Sequence, residues 1–309
     1  MALRIDDIPF NLRAGDVVKH VLCIDSRFRE NPKLTSANDF YFRLISPIRN
    51  VLRIRITSIE FPNAYYIFSA ARKNNAFQIT WGTSFVTFVI PDGNYSAGDL
   101  LTTLNQFIAD NVPLAWLKIG FDPITGKFTF TGTQPFTLDT TCSNVPPPVT
   151  GYVLPLTYNR PFDYGLGYNM GFSRGTFEST LPDASGNCFV ISDQLSDFSG
   201  DSYLFLKVNN FDCVRQTVVG TDFNALAKIV LRDPKTYMTF DDYASQHAKE
   251  VTFPNPQDLS RFHIQLLDPY GVPVGIDSSE YSFSLEVIEV QNLGLYNTIR
   301  DSFAATWKI

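Results

Sequence analysis

Apolar and polar residues alternate along many short stretches of the chain, which is the period of a half-buried β-strand. The most regular stretch begins at Tyr281, where Tyr281, Phe283, Leu285 and Val287 share one face and two serines and a glutamate take the other. A side chain of this kind contributes roughly 1.5–3 kcal/mol when it is fully buried. The alternation therefore predicts a structural framework and not a chemical site.

About nine segments show this texture, and turns rich in Asp, Asn, Gly and Pro separate them. The segments are 20–25, 39–44, 50–61, 189–192, 202–211, 225–231, 236–240, 262–268 and 281–290. Many short strands with almost no helix indicate an all-β sandwich or barrel, and a jelly roll needs eight strands. The predicted fold class is therefore mainly β, with a single jelly-roll β-sandwich.

The third of these segments changes phase along its length. Leu52, Ile54 and Ile56 fall on even positions, whereas Ile59 and Phe61 fall on odd ones. A shift of one residue moves every later side chain to the opposite face unless the strand contains an extra residue. The pattern predicts one continuous strand with a β-bulge, and with Leu52, Ile54 and Ile56 on one face.

The middle of the chain has a different texture, which predicts a small α+β domain inserted into the roll. Its helix begins at Ser96, which forms an S-x-x-[DE] capping box with Asp99. An apolar stripe at helical spacing follows and consists of Leu100, Leu101, Leu104, Phe107 and Ile108. Strand pairs flank the helix, so that residues 74 to about 140 are predicted as β-β-α-β-β.

These patterns predict four parts of the chain. They are an N-terminal arm (1–19), a jelly-roll sandwich (20–73 and 186–290), an inserted α+β domain (74–185) and a C-terminal tail (291–309). The tail carries Tyr296, Ile299, Phe303 and Trp307 at helical spacing. It is either a helix packed on its own domain or a segment that docks elsewhere.

Charge and cysteine content limit the possible partners and compartments. The formal net charge of -6 argues against nonspecific nucleic-acid binding, which depends on neutralising phosphates with Lys and Arg. Cys23, Cys142, Cys188 and Cys213 are far apart, and they predict mostly buried, reduced thiols in an intracellular protein. No apolar window reaches the length of a transmembrane helix.

Candidate chemistry is sparse, so that we expect no enzyme, no catalytic residues, no cofactor and no metal. Three histidines, His20, His247 and His263, do not form a ligand pattern, and His263 is predicted to be structural. The glycines of the GLGYNMG stretch (165–171) do not have dinucleotide-loop spacing, and they predict a tight irregular turn.

Two charged groups leave alternatives open. Asp193, Asp197 and Asp201 lie in a Ser/Gly-rich loop, where aspartates usually serve turns, although a calcium site or paired catalytic acids are the alternative. A second group consists of Arg43, Arg49, Arg53 and Arg55. It is either a solvated strand face or a strip that binds an acidic partner or a membrane surface.

Several longer motifs occur in a fixed order along residues 20–290. They are VLCIDSRFREN, SANDFYFRLISPIRNVLRIRITSIEFPNAYY, NAFQI, IPDGNYSAGDLLTTLN, ITGKFTF, GLGYNMGF, YLFLKVNNFD, DLSRFHIQLLDPYGVPV and EYSFSLEVIEV. This series resembles the penton (vertex) and minor capsid proteins of large icosahedral nucleocytoplasmic DNA viruses, of the single jelly-roll type. Two jelly rolls, as in a major capsid protein of these viruses, do not fit in 309 residues together with the middle domain.

The resemblance implies a non-enzymatic capsid protein, most simply the penton protein that forms homopentamers at fivefold vertices. Its implied partners are itself, the major capsid protein and other minor capsid proteins, with no specific nucleic acid. The implied location is the virion, assembled in the host cytoplasm. The alternatives are a minor (cement) capsid protein between major capsid trimers, or a carbohydrate- or receptor-binding β-sandwich.

Overall fold

The computed structural model describes residues 16–70, 72–141, 165–218, 221–231, 238–241, 250–276 and 279–306. The strands are β1 (Val17–Asp25), β2 (Asp39–Pro62), β3 (Ala76–Trp81), β4 (Ser84–Val89), β5 (Leu117–Asp122), β6 (Lys127–Gly132), β7 (Thr137–Asp139), β8 (Thr176–Glu178), β9 (Cys188–Ile191), β10 (Tyr203–Val208), β11 (Val214–Val218), β12 (Thr221–Ala225), β13 (Ala227–Val230), β14 (Met238–Asp241), β15 (Glu250–Leu267) and β16 (Ser282–Val290). The helices are α1 (Ala97–Asp110), α2 (Leu166–Asn169) and α3 (Leu293–Thr306). The chain divides into two compact units, of which the first comprises residues 1–65 and 203–309 and the second residues 66–202.

Strand pairing in the first unit is that of a jelly roll. One layer has the order β1, β16, second half of β2, first half of β15, with β14 also beside β2. The other layer has the order first half of β2, second half of β15, β10, β13. All of these pairs are antiparallel. The fold class predicted from the sequence is thus confirmed.

Two strands pass from one layer to the other and bend together. In β2 the bend lies at Asn50, whose φ of 49° is in the left-handed region that asparagine tolerates better than most residues. The Asn50 backbone N–H donates to Oδ1 of Asp258 on β15 at 3.0 Å. The β2–β15 ladder shifts register on both sides of this contact, which allows the strands to turn the corner without a break.

A single hydrophobic cluster fills the roll and takes side chains from both layers. Tyr281, Phe283, Leu285 and Val287 are all buried in it, as their alternation predicted. The bulge in β2 is also confirmed, because the pairing with β16 skips Thr57.

The predicted position of Leu52 is wrong, since a second register shift places it on the opposite side of the sheet from Ile54 and Ile56. The pairing of β16 with β2 jumps from Arg53 to Val51. Val51 therefore enters the main core, whereas Leu52 packs in a separate outer cluster.

The second unit contains two small sheets and a capped helix. The sheet orders are β4-β3-β7-β8 and β5-β6-β9. The capping box at the start of α1 is confirmed: Ser96 accepts a hydrogen bond from the Asp99 backbone, and the Asp99 carboxylate accepts one from the Ser96 backbone. Three residues of the predicted stripe, Leu100, Leu104 and Ile108, are buried in the core of this unit, and Leu101 and Phe107 are partly buried against it.

The unit boundaries differ from the predicted ones because pairing partners lie outside the predicted limits. Phe68 exchanges backbone hydrogen bonds with Gly93, so the second unit begins at residue 66 and not at 74. The segment predicted as a roll strand at 189–192 is β9, which pairs with β6 and extends this unit to residue 202. At the two ends of the chain, β1 already begins at Val17, and the tail contains α3.

Candidate interaction surfaces

The three loop aspartates do not come together. Asp193 accepts from the backbone and hydroxyl of Ser173, Asp197 accepts from the backbone and hydroxyl of Ser199, and Asp201 pairs with Arg72. Burial opposes ionisation of Asp193, but hydrogen bonds, chiefly from Ser173, together with the charge of Lys127 lower its pKa. Across the described ranges no group of three His, Cys, Asp or Glu is placed to hold a metal ion.

The glycine-rich stretch around α2 serves close packing. A Cβ at Gly167 would lie 2.5 Å from the Thr140 side chain, and one at Gly171 would lie 2.4 Å from the Gln194 carbonyl oxygen. Gly165 and Gly171 have φ values of 116° and 89°, which L side chains rarely adopt. These glycines therefore allow neighbouring segments of the chain to approach closely.

The described histidines each contact a carboxylate. His263 Nε2 lies 2.7 Å from Asp39 Oδ1, and His20 Nε2 lies 2.9 Å from Glu289 Oε2. His247 and Cys142 lie outside the described residues. Of the other cysteines Cys188 is buried, but Cys23 is exposed, because it faces outward on β1. The expectation of mostly buried thiols is wrong for Cys23.

The arginine group is largely neutralised within the roll. The pairs are Arg43 with Glu30 at 3.0 Å, Arg53 with Glu250 at 3.6 Å, and Arg55 with Glu286 at 2.9 Å. Lys19 also pairs with Glu286, so that this buried, outward-facing carboxylate has two cationic partners. Arg49 is exposed and forms no ion pair with any residue in the described ranges. The group is therefore not a continuous basic strip.

Each layer of the roll has an outer face that is covered over only part of its length. On the layer that contains β1 and β16, Tyr296 of α3 is fully buried against the cluster that includes Leu52. The Tyr296 hydroxyl donates to the Pro254 carbonyl at 3.3 Å. On the other layer, Phe223 of β12 packs edge-on against Phe205, with 5.2 Å between ring centroids. The remaining part of each outer face carries polar and charged groups together with exposed side chains such as Val21 and Tyr41.

Charged side chains and aromatic rings in contact with one another cover the open part of the outer face of the second layer. The Tyr41 ring lies between the Arg261 guanidinium, 3.8 Å from its centroid, and the His263 ring, stacked at 4.5 Å. Glu30 accepts from Arg261 and from Arg43. The hydrogen bonds from Arg261 and then Arg43 hold the pKa of Glu30 below its ordinary value. This face suits recognition of a polar, charged surface.

One side of the roll, which we call the open flank, has two strand edges with no neighbour among the described strands. These edges belong to β1 and to the first half of β2, which occupy corresponding ends of the two layers. Leu22 on β1, and Phe42 and Leu44 on β2, are only partly buried against the core. Free edges with half-covered apolar residues are typical of surfaces that pair with another chain.

An apolar bulge projects from the β2 edge of this flank. Arg43 pairs with Arg261 and Ile48 with Leu259, so that four residues of β2 lie opposite one residue of β15. Ile45, inside this bulge, is fully exposed. A large β-branched side chain in such a position adds apolar area to the flank.

The second unit has a groove of about 480 Å³ between the end of β4 and α1. Its lining includes Phe88, Val89, Leu104 and Phe107, with threonines and one aspartate, Asp110, at the rim. The lining contains no nucleophile with an adjacent base and no convergent charges. The groove can accept an apolar group.

Comparison with known proteins gives similarity only to solved structures. No protein-family model and no curated protein sequence matches the chain. The crystal structure of the mavirus penton protein overlaps with a TM-score of 0.40 and 9% identity, over 89% of this chain and 99% of that one. A chain in the 3.5 Å cryo-EM structure of the Sputnik virophage overlaps with a TM-score of 0.39 and 14% identity, over 91% of this chain and 99% of that one. Similarity at this level does not establish a function.

Sequence reasoning missed the residues of the open flank. Alternation predicted strands at 20–25 and 39–44, but edge strands and central strands share that pattern. A usable signal was Pro47, because proline is confined to edges and bulges of a sheet.

In the part of the chain that the structure describes, no helix has the length and apolar character needed to span a membrane.

Proposed function

We propose that the protein is a non-enzymatic structural component of a viral capsid. The observation that carries this proposal is the strand pairing of the first unit, together with the position of the capsid-like motifs on its strands. Each layer of the roll has four strand positions, because β2 and β15 contribute to both layers. The longest motif covers all of β2, and two others cover the end of β15 and β16. The resemblance therefore concerns the framework that makes contacts between subunits, and a capsid subunit needs shape and interfaces but no reaction.

We further propose that it is the penton protein and forms a homopentamer. One roll per subunit suits a fivefold position, where a flank of each subunit meets a different surface of the next and the ring closes at five. The open flank supplies one such surface, with its two free edges and the exposed Ile45. The major capsid protein and other minor capsid proteins are its proposed neighbours in the virion, which assembles in the host cytoplasm. The inserted unit (66–202) is proposed to be a separable module of this subunit.

Two other functions remain distinguishable from this one. A minor (cement) capsid protein between major capsid trimers would use the same roll away from the fivefold axes. A carbohydrate- or receptor-binding sandwich was suggested by the Asp193–Asp201 loop, but its aspartates already bind separate partners.

The decisive experiment is a reconstruction of the virus particle that contains this chain. Density for the chain around each fivefold axis would support the penton assignment. Density only between major capsid trimers would instead assign the minor capsid role. Absence of the chain from the particle, together with binding to a glycan array, would overturn the capsid proposal.

A further inference from the structure

The edge of β1 on the open flank is long and regular. Its nine residues pair with β16 without a register shift, contain no proline, and leave the other edge without a partner among the described strands. Val21 at its centre is 63% exposed. An edge of this kind pairs readily with another strand, and stable proteins usually cover it or interrupt it with charges or bulges.

The two faces of β1 differ in chemistry. Leu22 and Ile24 point to the main core. Lys19 and Cys23 point outward, since Lys19 pairs with Glu286, and Cys23 Sγ lies 3.6 Å from the Ser284 hydroxyl. A strand added at this edge therefore needs apolar residues on the side of Leu22. On the outward side, where Val21 lies between Lys19 and Cys23, it can carry both polar and apolar residues.

The arm that precedes β1 contains a matching pattern. Ile8, Phe10 and Leu12 alternate with Pro9 and Asn11, and Asp7 and Arg13 stand at the two ends of this stretch. Fifteen residues precede Asp16, and seven extended residues span about 23 Å, which fits within the length of β1.

We propose that residues 7–13 of a second copy of this chain add to the free edge of β1 as a parallel strand. In this register Phe10 lies beside Leu22, and Asn11 lies beside Cys23. The apolar residues of the arm then cover the half-exposed apolar residues of the flank. The inference rests on the proposed function, because it assigns one contact between neighbouring subunits.

Charge selects this register. Asp7 lies beside Lys19. Lys19 and Arg55 both pair with the carboxylate of Glu286, so this group of three side chains has a net charge of +1 that Asp7 would neutralise. At the other end Arg13 lies beside Asp25, whose carboxylate also pairs with Arg27, so that the pair of Asp7 with Lys19 contributes most to the choice of register. Proline is tolerated in an edge strand, so Pro9 does not prevent the pairing.

Connectivity assigns the strand to a second copy. Only three residues separate Arg13 from Val17, whereas a parallel pair within one chain needs a connection of a dozen residues or more. An antiparallel hairpin with a loop of two to four residues is the alternative within one chain. Loops of two and three residues before Val17 place Asp7 or Asp6 beside the buried Ile24, and a loop of four places Asp7 beside Leu22. Each register therefore puts an aspartate on the apolar side of the flank, where an unpaired carboxylate is unfavourable.

The first test is a disulfide cross-link in the full-length protein. In the proposed register, Asn11→Cys places a thiol beside Cys23, because adjacent strands lie about 4.8 Å apart and a disulfide spans Cα separations of 4.4–6.8 Å. Mild oxidation should give covalently linked oligomers. The link should disappear in Asn11→Cys combined with Cys23→Ser, and in Leu12→Cys, whose thiol faces the opposite side.

The second test measures association without cross-linking. Phe10→Asp should weaken self-association by about tenfold or more, because it puts a charge beside Leu22. Asn11→Asp, its matched control on the solvent side, should change association by less than about twofold. Sedimentation velocity or light scattering over a range of protein concentrations provides the readout for both variants.

The outcomes separate this inference from the proposed function. Oligomers linked through Cys23 support the arm contact. A disulfide within single chains shows that the arm pairs with its own β1 and overturns it. Oligomers with no link through Cys23, and with equal association of the two aspartate variants, overturn the arm contact but not the capsid role. A chain that stays monomeric and is absent from the virion overturns both.

Discussion

The two units of the chain are built from contacts of very different sequence range. In the roll, β1 pairs with β16, and His20 contacts Glu289 across 269 positions. In the unit of residues 66–202, the strands pair mainly with sequence neighbours, as in the β3–β4 and β5–β6 hairpins. The roll therefore requires both ends of the chain before its core closes, whereas the described strands of the inserted unit find all their partners within residues 66–202. The insertion therefore interrupts the sequence of the roll but contributes none of the described strands of its sheet.

The strongest test of this difference removes the inserted unit. Replacing residues 66–202 with a short Gly/Ser linker should leave an all-β protein with a cooperative thermal transition, because the cost of closing a loop grows slowly with its length. Circular dichroism and calorimetry should show that the helical signal of α1 is lost and the roll transition is kept. A variant without any cooperative transition would mean that the roll depends on the inserted unit.

A core substitution in the roll should affect one unit only. Phe283→Ala removes a side chain that is 1% exposed, and it should destabilise the roll by about 3–5 kcal/mol. Calorimetry should show the transition of the inserted unit at its original temperature. Val21→Ala is the control, since Val21 is exposed and its loss should cost less than about 0.5 kcal/mol. Equal shifts of both transitions would contradict separate units.

The reverse experiment uses a glycine in the inserted unit. Gly171→Ala should destabilise this unit by about 2–3 kcal/mol, because its φ is 89° and a Cβ would meet the Gln194 carbonyl at 2.4 Å. Gly175→Ala serves as the control, since a Cβ there meets nothing within 4 Å. Denaturant unfolding monitored by intrinsic fluorescence should separate the two variants, and similar midpoints would show that the close packing at Gly171 is unimportant.

A smaller effect is expected at the start of α1. Ser96→Ala should cost the inserted unit about 1 kcal/mol, because the helix loses its N-cap. The hydrogen bonds from Ser96 also hold the pKa of Asp99 below its ordinary value. The contribution of Asp99 is therefore present above the pKa of the unfolded chain, near 4, and is lost as the pH falls through the lower folded value. In Asp99→Asn this part of the pH dependence should be absent from thermal melts, and its persistence would exclude the carboxylate as the cause.

The smallest effect concerns the exposed face of the roll. The pKa of Glu30 is lowered by Arg261 and Arg43, so that its stabilisation is present at neutral pH and declines as acid protonates the carboxylate. Glu30→Gln should lower the roll midpoint slightly at low salt and leave it unchanged at high salt, because exposed ion pairs are screened. Thermal melts at two salt concentrations test this, and a difference that does not depend on salt would point to packing instead.

Much of the local structure could be predicted from the sequence because its causes are local. The faces of β16, the bulge in β2 and the capping box of α1 each depend on residues a few positions apart. The two errors, at β9 and at Leu52, have the same cause. The pairing partner of each segment is distant in the sequence, so the residues of the segment itself do not reveal it. β9 has the alternation of a roll strand but pairs with β6, and Leu52 changes faces through a register shift against β16.

The candidate surface was harder to predict than the fold. Leu22 and Phe42 have the pattern of ordinary core residues, and only the strand order shows that they lie at two unpaired edges. In contrast, the charged residues that stood out in the sequence, such as Arg55 and Asp201, form ion pairs within their own units. A conspicuous charge in the sequence was therefore a poor guide to the open surface, because side-chain partners are set by tertiary structure.

The continuity of β2 and β15 through both layers has a mechanical consequence. A sandwich whose layers are joined only by loops can slide or open at low force, since its layers are held by side-chain packing. Here β2, with 24 residues, and β15, with 18 residues, each continue from one layer into the other. The two strands pair with each other along most of their length. A tensile load along either strand is resisted in shear by many backbone hydrogen bonds at once. Under such a load the roll is expected to behave as a stiff body.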